Sequence, residues 1–293
     1  MQITMKEAND LEKNNSVLAP KGLLVAVGGN EDKEHDLLVL RKIVSLIKTK
    51  TVNIEIITTA SEIPDELGNM YHRSFDRIGN TSVQFMHIKT REQAKEKQYI
   101  QRLKKCHVVF FTGGDQLRIT SILGGTLFLD TIINKYYTEE CIVAGTSAGA
   151  AAMSQTMIFD GESAEALIKG SVNVTAGIGL VQNIIIDSHF IKRGRFSRLM
   201  ELITSSPGNT GIGLGEDTGI IIRNGYLIEA IGNGLVVIFD GKHIRHSNIS
   251  SINKGKAIAV ENMHVHVLVD GYGYDVSNRI FLLPLKLKEL LNA

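Results

Sequence analysis

Hydrophobic and polar positions fall into two textures along the chain. Up to about residue 205, short apolar runs alternate with amphipathic stretches of helical spacing. Leu23-Leu24-Val25-Ala26-Val27 is apolar throughout and ends in Gly28-Gly29-Asn30. Such a run suits a central strand buried on both faces. Residues 36–47 place Leu37, Leu38, Leu40, Ile43, Val44, Leu46 and Ile47 at helical spacing. Strands are then expected over 52–57, 83–88 and 107–111. The helices between them cover 61–77, with Ser61 as N-cap and Pro64 in the first turn, and 90–105. Further helices start at Asp115 and Leu127 and lead to a strand over 141–144, and 183–187 is another strand. A basic helix follows over 193–205.

Strands and helices alternating at this spacing make βαβ units, hence a mostly parallel sheet flanked by helices. After Pro207 the texture changes to apolar runs punctuated by Asn224-Gly225, Asn233-Gly234 and Asp240-Gly241. These dipeptides are hairpin signals, so the last third is expected to add antiparallel strands to one edge. A short helix over 285–291 closes the chain, with Pro284 at its entry. Residues 1–20 read as a loose leader and 21–293 as one α/β domain.

The strand before residue 145 runs into Gly145-Thr146-Ser147-Ala148-Gly149, followed by the helix formers Ala150, Ala151, Ala152 and Met153. Strand, sharp turn, helix is the context in which G-x-S-x-G marks a nucleophile elbow. A serine hydroxyl needs a base. Of nine histidines, His189 is the candidate, because it closely follows the apolar strand Ile184-Ile185-Ile186, and strand ends are where such sheets present functional groups. The acid that orients the imidazole is left open among Asp187, Glu162 and Glu165, with the two glutamates better placed. Gly113-Gly114 ends another strand, so the Gly114 and Ala148 N–H groups are candidates for an oxyanion hole. Arg193, Arg195 and Arg198 crowd the stretch after His189, with Lys192 beside them. Arginine forks bind carboxylates, so either an acidic substrate or a solvated basic face accounts for them.

Composition narrows the class. With 43% apolar residues a sizeable core forms, and a net charge of +1 with 22% charged residues argues against a nucleic-acid stripe or polybasic membrane segment. Two cysteines exclude a disulfide scaffold. No apolar run approaches the roughly 18 residues of a membrane span, and no secretory h-region opens the chain. A cytoplasmic location is the expectation. His264 and His266 lack further ligands, so no metal is expected.

Gly28-Gly29-Asn30-Glu31, Phe111-Thr112-Gly113-Gly114-Asp115-Gln116, the 145–150 elbow and Asp187-Ser188-His189-Phe190 with Arg193, Arg195 and Arg198 together resemble the cyanophycinases. These are serine peptidases grouped with the aspartyl dipeptidases, on a fold related to class I glutamine amidotransferases. The resemblance runs from about residue 20 to the C-terminus. It implies hydrolysis of cyanophycin, a poly-aspartate carrying arginine on each β-carboxyl, to β-Asp-Arg dipeptides. It makes Ser147 the nucleophile, His189 the base and Glu165 the acid, with Glu162 in reserve. It places Gln116, Asp187, Arg193, Arg195 and Arg198 in the substrate pocket. Ser188 stands there where the family has glutamine, and its shorter side chain alters the pocket. The resemblance also implies no cofactor or metal, a peptide substrate and a homodimer. Alternatives are an Asp-directed dipeptidase, a non-catalytic acidic-peptide binder on the same scaffold, and an α/β-hydrolase esterase. The esterase is disfavoured because its histidine comes very late in the chain.

Overall fold

The computed structural model describes residues 19–161 and 167–292. The expected leader therefore lies, up to residue 18, outside the described residues, as do Glu162 and Glu165. In chain order the first strands are β1 (Leu23–Val27), β2 (Val52–Ile57), β3 (Thr81–Met86), β4 (Val108–Phe111) and β5 (Ile142–Thr146). They lie mutually parallel in the order β1-β5-β4-β2-β3. The intervening helices are α1 (Leu38–Ser45), α2 (Pro64–Ile78), α3 (Lys97–Lys105), α4 (Gln116–Leu123) and α5 (Leu127–Thr138). Two of these starts follow from capping: the Asp115 side chain accepts the Leu117 N–H and Thr126 accepts that of Leu129. A four-residue helix, α6 (Ala148–Ala151), follows β5.

The chain then forms a two-stranded ribbon, β6 (Thr156–Gly161) with β7 (Val172–Ala176), and continues through β8 (Ile184–Asp187), α7 (Phe196–Ser205), β9 (Thr210–Leu214), β10 (Thr218–Arg223), β11 (Leu227–Gly232) and β12 (Val236–Asp240). A small ribbon of β13 (His246–Ser247) and β14 (Val260–Glu261) precedes β15 (His264–Leu268), β16 (Gly273–Asp275), β17 (Ile280–Leu282) and α8 (Pro284–Asn292). Strands β10, β11, β16 and β17 extend the parallel sheet antiparallel from β1, giving nine strands. This is the expected antiparallel addition to one edge.

The outcome departs from the hairpin expectation in one respect. Asn224-Gly225 does close a hairpin, with both residues at positive φ (55° and 79°). Asn233-Gly234 and Asp240-Gly241 do not, because β12 leaves β11 and pairs with β9 and β15. With β8, these strands form a second sheet in the order β15-β12-β9-β8.

Alternation along the strands explains the layering. Leu24, Ala26, Ile220 and Ile222 face a core shared with Ile186, Ile212, Leu214 and Ile238 of the second sheet. Val25, Val27 and Ile221 point the other way, onto Leu40 and Ile43 of α1 and Tyr71 and Phe75 of α2. The second sheet's far face packs Ile185, Val237 and Phe239 against Leu199 and Ile203 of α7. The elbow strand β5 is therefore central and fully buried, while His189 arrives from a different sheet laid against it.

Candidate active site

Ser147 sits between β5 and α6 at φ 51°, ψ −109°, a conformation costly for a residue with a side chain. Its N–H donates to the Val27 carbonyl at 2.9 Å, which ties the turn to the end of β1. Close packing dictates the glycine that follows: a Cβ on Gly149 would lie 2.5 Å from the Phe111 carbonyl oxygen. Ser147 Oγ lies 3.0 Å from His189 Nε2.

His189 is held by backbone. Its N–H donates to the Gly28 carbonyl at 2.8 Å, and the Phe190 N–H donates to Leu214 at 2.9 Å. The Gly28-Gly29 pair is the clamp that permits this. A Cβ on Gly28 would stand 1.9 Å from the Gly215 carbonyl oxygen, and one on Gly29, at φ 99°, 2.4 Å from the His189 ring.

His189 Nδ1 is 2.8 Å from Glu216 Oε1. Glu216 Oε2 accepts the Asn30 amide at 3.1 Å. The hydrogen bond from His189 holds the Glu216 carboxyl below its usual range against the opposing effect of burial, and Asn30 adds to the lowering. Nδ1 has room for one hydrogen-bond partner and Glu216 fills it, whereas Glu165 and Glu162, the expected orienting acids, lie outside the described residues. Sequence reasoning missed Glu216 because it followed the family resemblance to Glu165, whereas Glu216 lies in the turn after β9 and reaches His189 through the packing around Gly28.

A cavity of about 660 Å³ opens beside the serine, lined among others by Gly113, Gly114, Asp115, Lys33, Tyr71 and Arg193. Among the described residues, the N–H groups of Gly114 and Ala148 donate to no backbone carbonyl. That leaves them available to an anion.

The expected pocket residues divide. Arg193 is exposed and lines the cavity. Arg195 and Arg198 do not present free forks. Both embrace the buried Asp187, Arg195 at 3.0 Å and Arg198 at 3.2 Å, and they also reach the carbonyls of Ser188 and Gly161. Burial pushes the Asp187 carboxyl up, and Arg198 and Arg195 pull it back. A carboxylate taken out of water needs such partners, so Asp187, Arg195 and Arg198, expected in the substrate pocket, form a largely buried ion cluster. Gln116 donates to the carbonyls of Ile158 and Phe159, and Ser188 is buried. Neither lines the cavity beside Ser147. Among the described residues, no group of three or more His, Cys, Asp or Glu side chains could hold a metal ion. Nor is any helix long and apolar enough to cross a membrane.

The profile of Peptidase family S51 matches residues 23–230. The chain belongs to this family. It is a serine peptidase. The S51 chain is 33% identical over 264 residues to the cyanophycinase of Trichormus variabilis, covering 90% of this chain and 89% of that one. It is 32% identical over 256 residues to the cyanophycinase of Synechococcus elongatus, covering 87% and 80%. Among solved structures, a peptidase from an acI-B1 Actinobacterium superposes with a TM-score of 0.66 at 21% identity, over 88% of this chain and 98% of that one. The last likeness concerns the fold alone.

Proposed function

We propose that this S51 peptidase hydrolyses cyanophycin to β-Asp-Arg dipeptides through an acyl-enzyme on Ser147. The observation that carries the reading is the relay from Glu216 through His189 to a serine on a strained elbow. Ser147 Oγ attacks the backbone carbonyl and forms a C–O bond, while His189 Nε2 takes its proton. The C–N bond then breaks as His189 returns that proton to the leaving amine. Water, deprotonated by His189, hydrolyses the ester and restores Ser147. Glu216 fixes the tautomer and stabilises the imidazolium. The N–H groups of Gly114 and Ala148 receive the negative charge of the tetrahedral intermediate.

Support for the polymer as substrate comes from the cyanophycinase relatives and from the two cations, Lys33 and Arg193, lining the cavity. The test is incubation of purified protein with cyanophycin and identification of products by mass. β-Asp-Arg released by the wild type and absent with Ser147→Ala is the expected result. Intact polymer together with cleaved Asp-X dipeptides would replace the reading with an Asp-directed dipeptidase. Capture of acidic peptide with no cleavage of either would make it a binding protein.

A further inference from the structure

Lys33 plays no part in the relay, yet it is the least free cation of the cavity. Its side chain is 16% exposed. The ammonium donates to the Glu31 carbonyl at 2.9 Å, lies 3.5 Å from Glu31 Oε1 and stands 5.3 Å from the centre of the Tyr71 ring. The Glu31 carboxylate is fully shielded from solvent and is already shared: Tyr71 donates its hydroxyl to Oε1, and Thr146, the residue before Ser147, donates to Oε2 at 2.7 Å. Burial first, and the charge of Glu31 next, raise the Tyr71 hydroxyl well above its ordinary value, so it stays protonated as a donor. An ammonium has three donors, and the Glu31 carbonyl takes one of them.

The backbone that carries Lys33 is fixed on both sides. Asp32 accepts N–H groups from Glu34, His35 and Leu37 at 2.9 to 3.0 Å. The Asp32 N–H donates to Asp217, next to Glu216, at 2.9 Å. The Lys33 carbonyl accepts the Ser74 hydroxyl from α2 at 2.9 Å. The cation is therefore held in place before substrate arrives, and Ile63, Leu67 and Met70 supply an apolar wall in the same cavity. A preorganised, largely desolvated cation beside a short apolar wall fits a carboxylate on a short aliphatic stem.

We propose that Lys33 binds a carboxylate of the substrate next to the scissile bond and so makes the enzyme selective for acidic peptides. This rests on the peptidase reading of Ser147. The carboxylate is either the free chain end or the α-carboxylate of an arginine carried on a β-carboxyl, and both present the same chemistry.

The test compares kcat/KM for short β-Asp-Arg peptides as free acids against their C-terminal amides, and with the arginine α-carboxyl free against amidated beside the cleaved bond. The wild type is expected to prefer the acid about tenfold to hundredfold in one arm, and that arm names the source. Lys33→Met is expected to abolish the preference and Lys33→Arg to retain most of it. No preference in the wild type, or an unchanged preference in a folded Lys33→Met, overturns the proposal. A structure of Ser147→Ala with a free-acid peptide decides independently of how Lys33 variants fold: a carboxylate beyond about 4 Å from Lys33 Nζ also overturns it. Labelling of Ser147 by a neutral fluorophosphonate separates the two readings. A labelled enzyme without acid preference sinks the Lys33 proposal alone, whereas an unlabelled Ser147 removes the peptidase reading and this proposal with it.

Discussion

His189 Nδ1 lies 2.8 Å from Glu216 Oε1, and the other oxygen of Glu216 takes the Asn30 amide. The carboxylate is thus oriented from both sides. Glu216→Gln keeps the shape but loses the charge and can stabilise the wrong tautomer. On the scale known for neutralising a triad acid, kcat should fall by roughly 10⁴-fold with little change in KM. Steady-state kinetics on a soluble Asp-containing peptide check it; a loss under tenfold would dismiss Glu216 as the acid.

Gly29→Ala should harm turnover without touching any reacting group. The added methyl meets the His189 ring at 2.4 Å, and φ 99° disfavours any side chain. A cost of about 1–2 kcal/mol in stability is expected, alongside a drop in kcat on the order of 100-fold from the displaced imidazole. Urea melts and kinetics on the same preparation separate the two effects.

Asp187→Asn leaves the buried guanidiniums of Arg195 and Arg198 without a countercharge. A loss of about 3–5 kcal/mol is expected, as for other broken buried pairs. Equilibrium unfolding measures it. Wild-type stability combined with a raised KM would instead return these residues to the substrate pocket.

Burial pushes the Cys106 thiol up to about 12 and the Cys141 thiol up to about 11. Both should therefore stay protonated and resist iodoacetamide at pH 9 in the native protein, and react only once it unfolds. Mass spectrometry after timed alkylation reads this directly.

Asp32 is held below the usual carboxylate range by the N–H groups of Leu37, Glu34 and His35. A depressed folded value means that its contribution is complete above the unfolded value of about 4 and is lost as pH falls through the folded one. Asp32→Ala should lower the melting temperature at pH 7, and the gap to wild type should narrow on acidification. A gap that stays constant down to pH 2 would count against the cap.

Much of the architecture was legible because buried parallel strands are written as unbroken apolar runs: β1 and β4 stand out with no tertiary information. The elbow was legible for a similar reason, since strand, glycine-flanked serine and alanine helix are contiguous. Which sheet a strand joins was not. Asn224-Gly225 and Asn233-Gly234 carry the same local signal, yet only the first is a hairpin, because the choice made by β12 depends on partners elsewhere in the chain. Glu216 was hidden likewise. Nothing in Gly215-Glu216-Asp217 marks an acid, and its closeness to His189 arises where Gly28 lets two backbones touch. The pairing within the Asp187 cluster was not legible either, since a row of arginines looks alike whether it awaits a ligand or neutralises a buried neighbour.

The contact of Gly28 with Gly215 has a mechanical consequence. Serine and histidine belong to separate layers, and their hydrogen bond spans the seam between them. A slip of about an ångström along that seam would uncouple nucleophile and base while leaving each layer's own ladders whole. Turnover should therefore fail at lower denaturant than circular dichroism, making the enzyme a gauge of how well its two sheets remain seated.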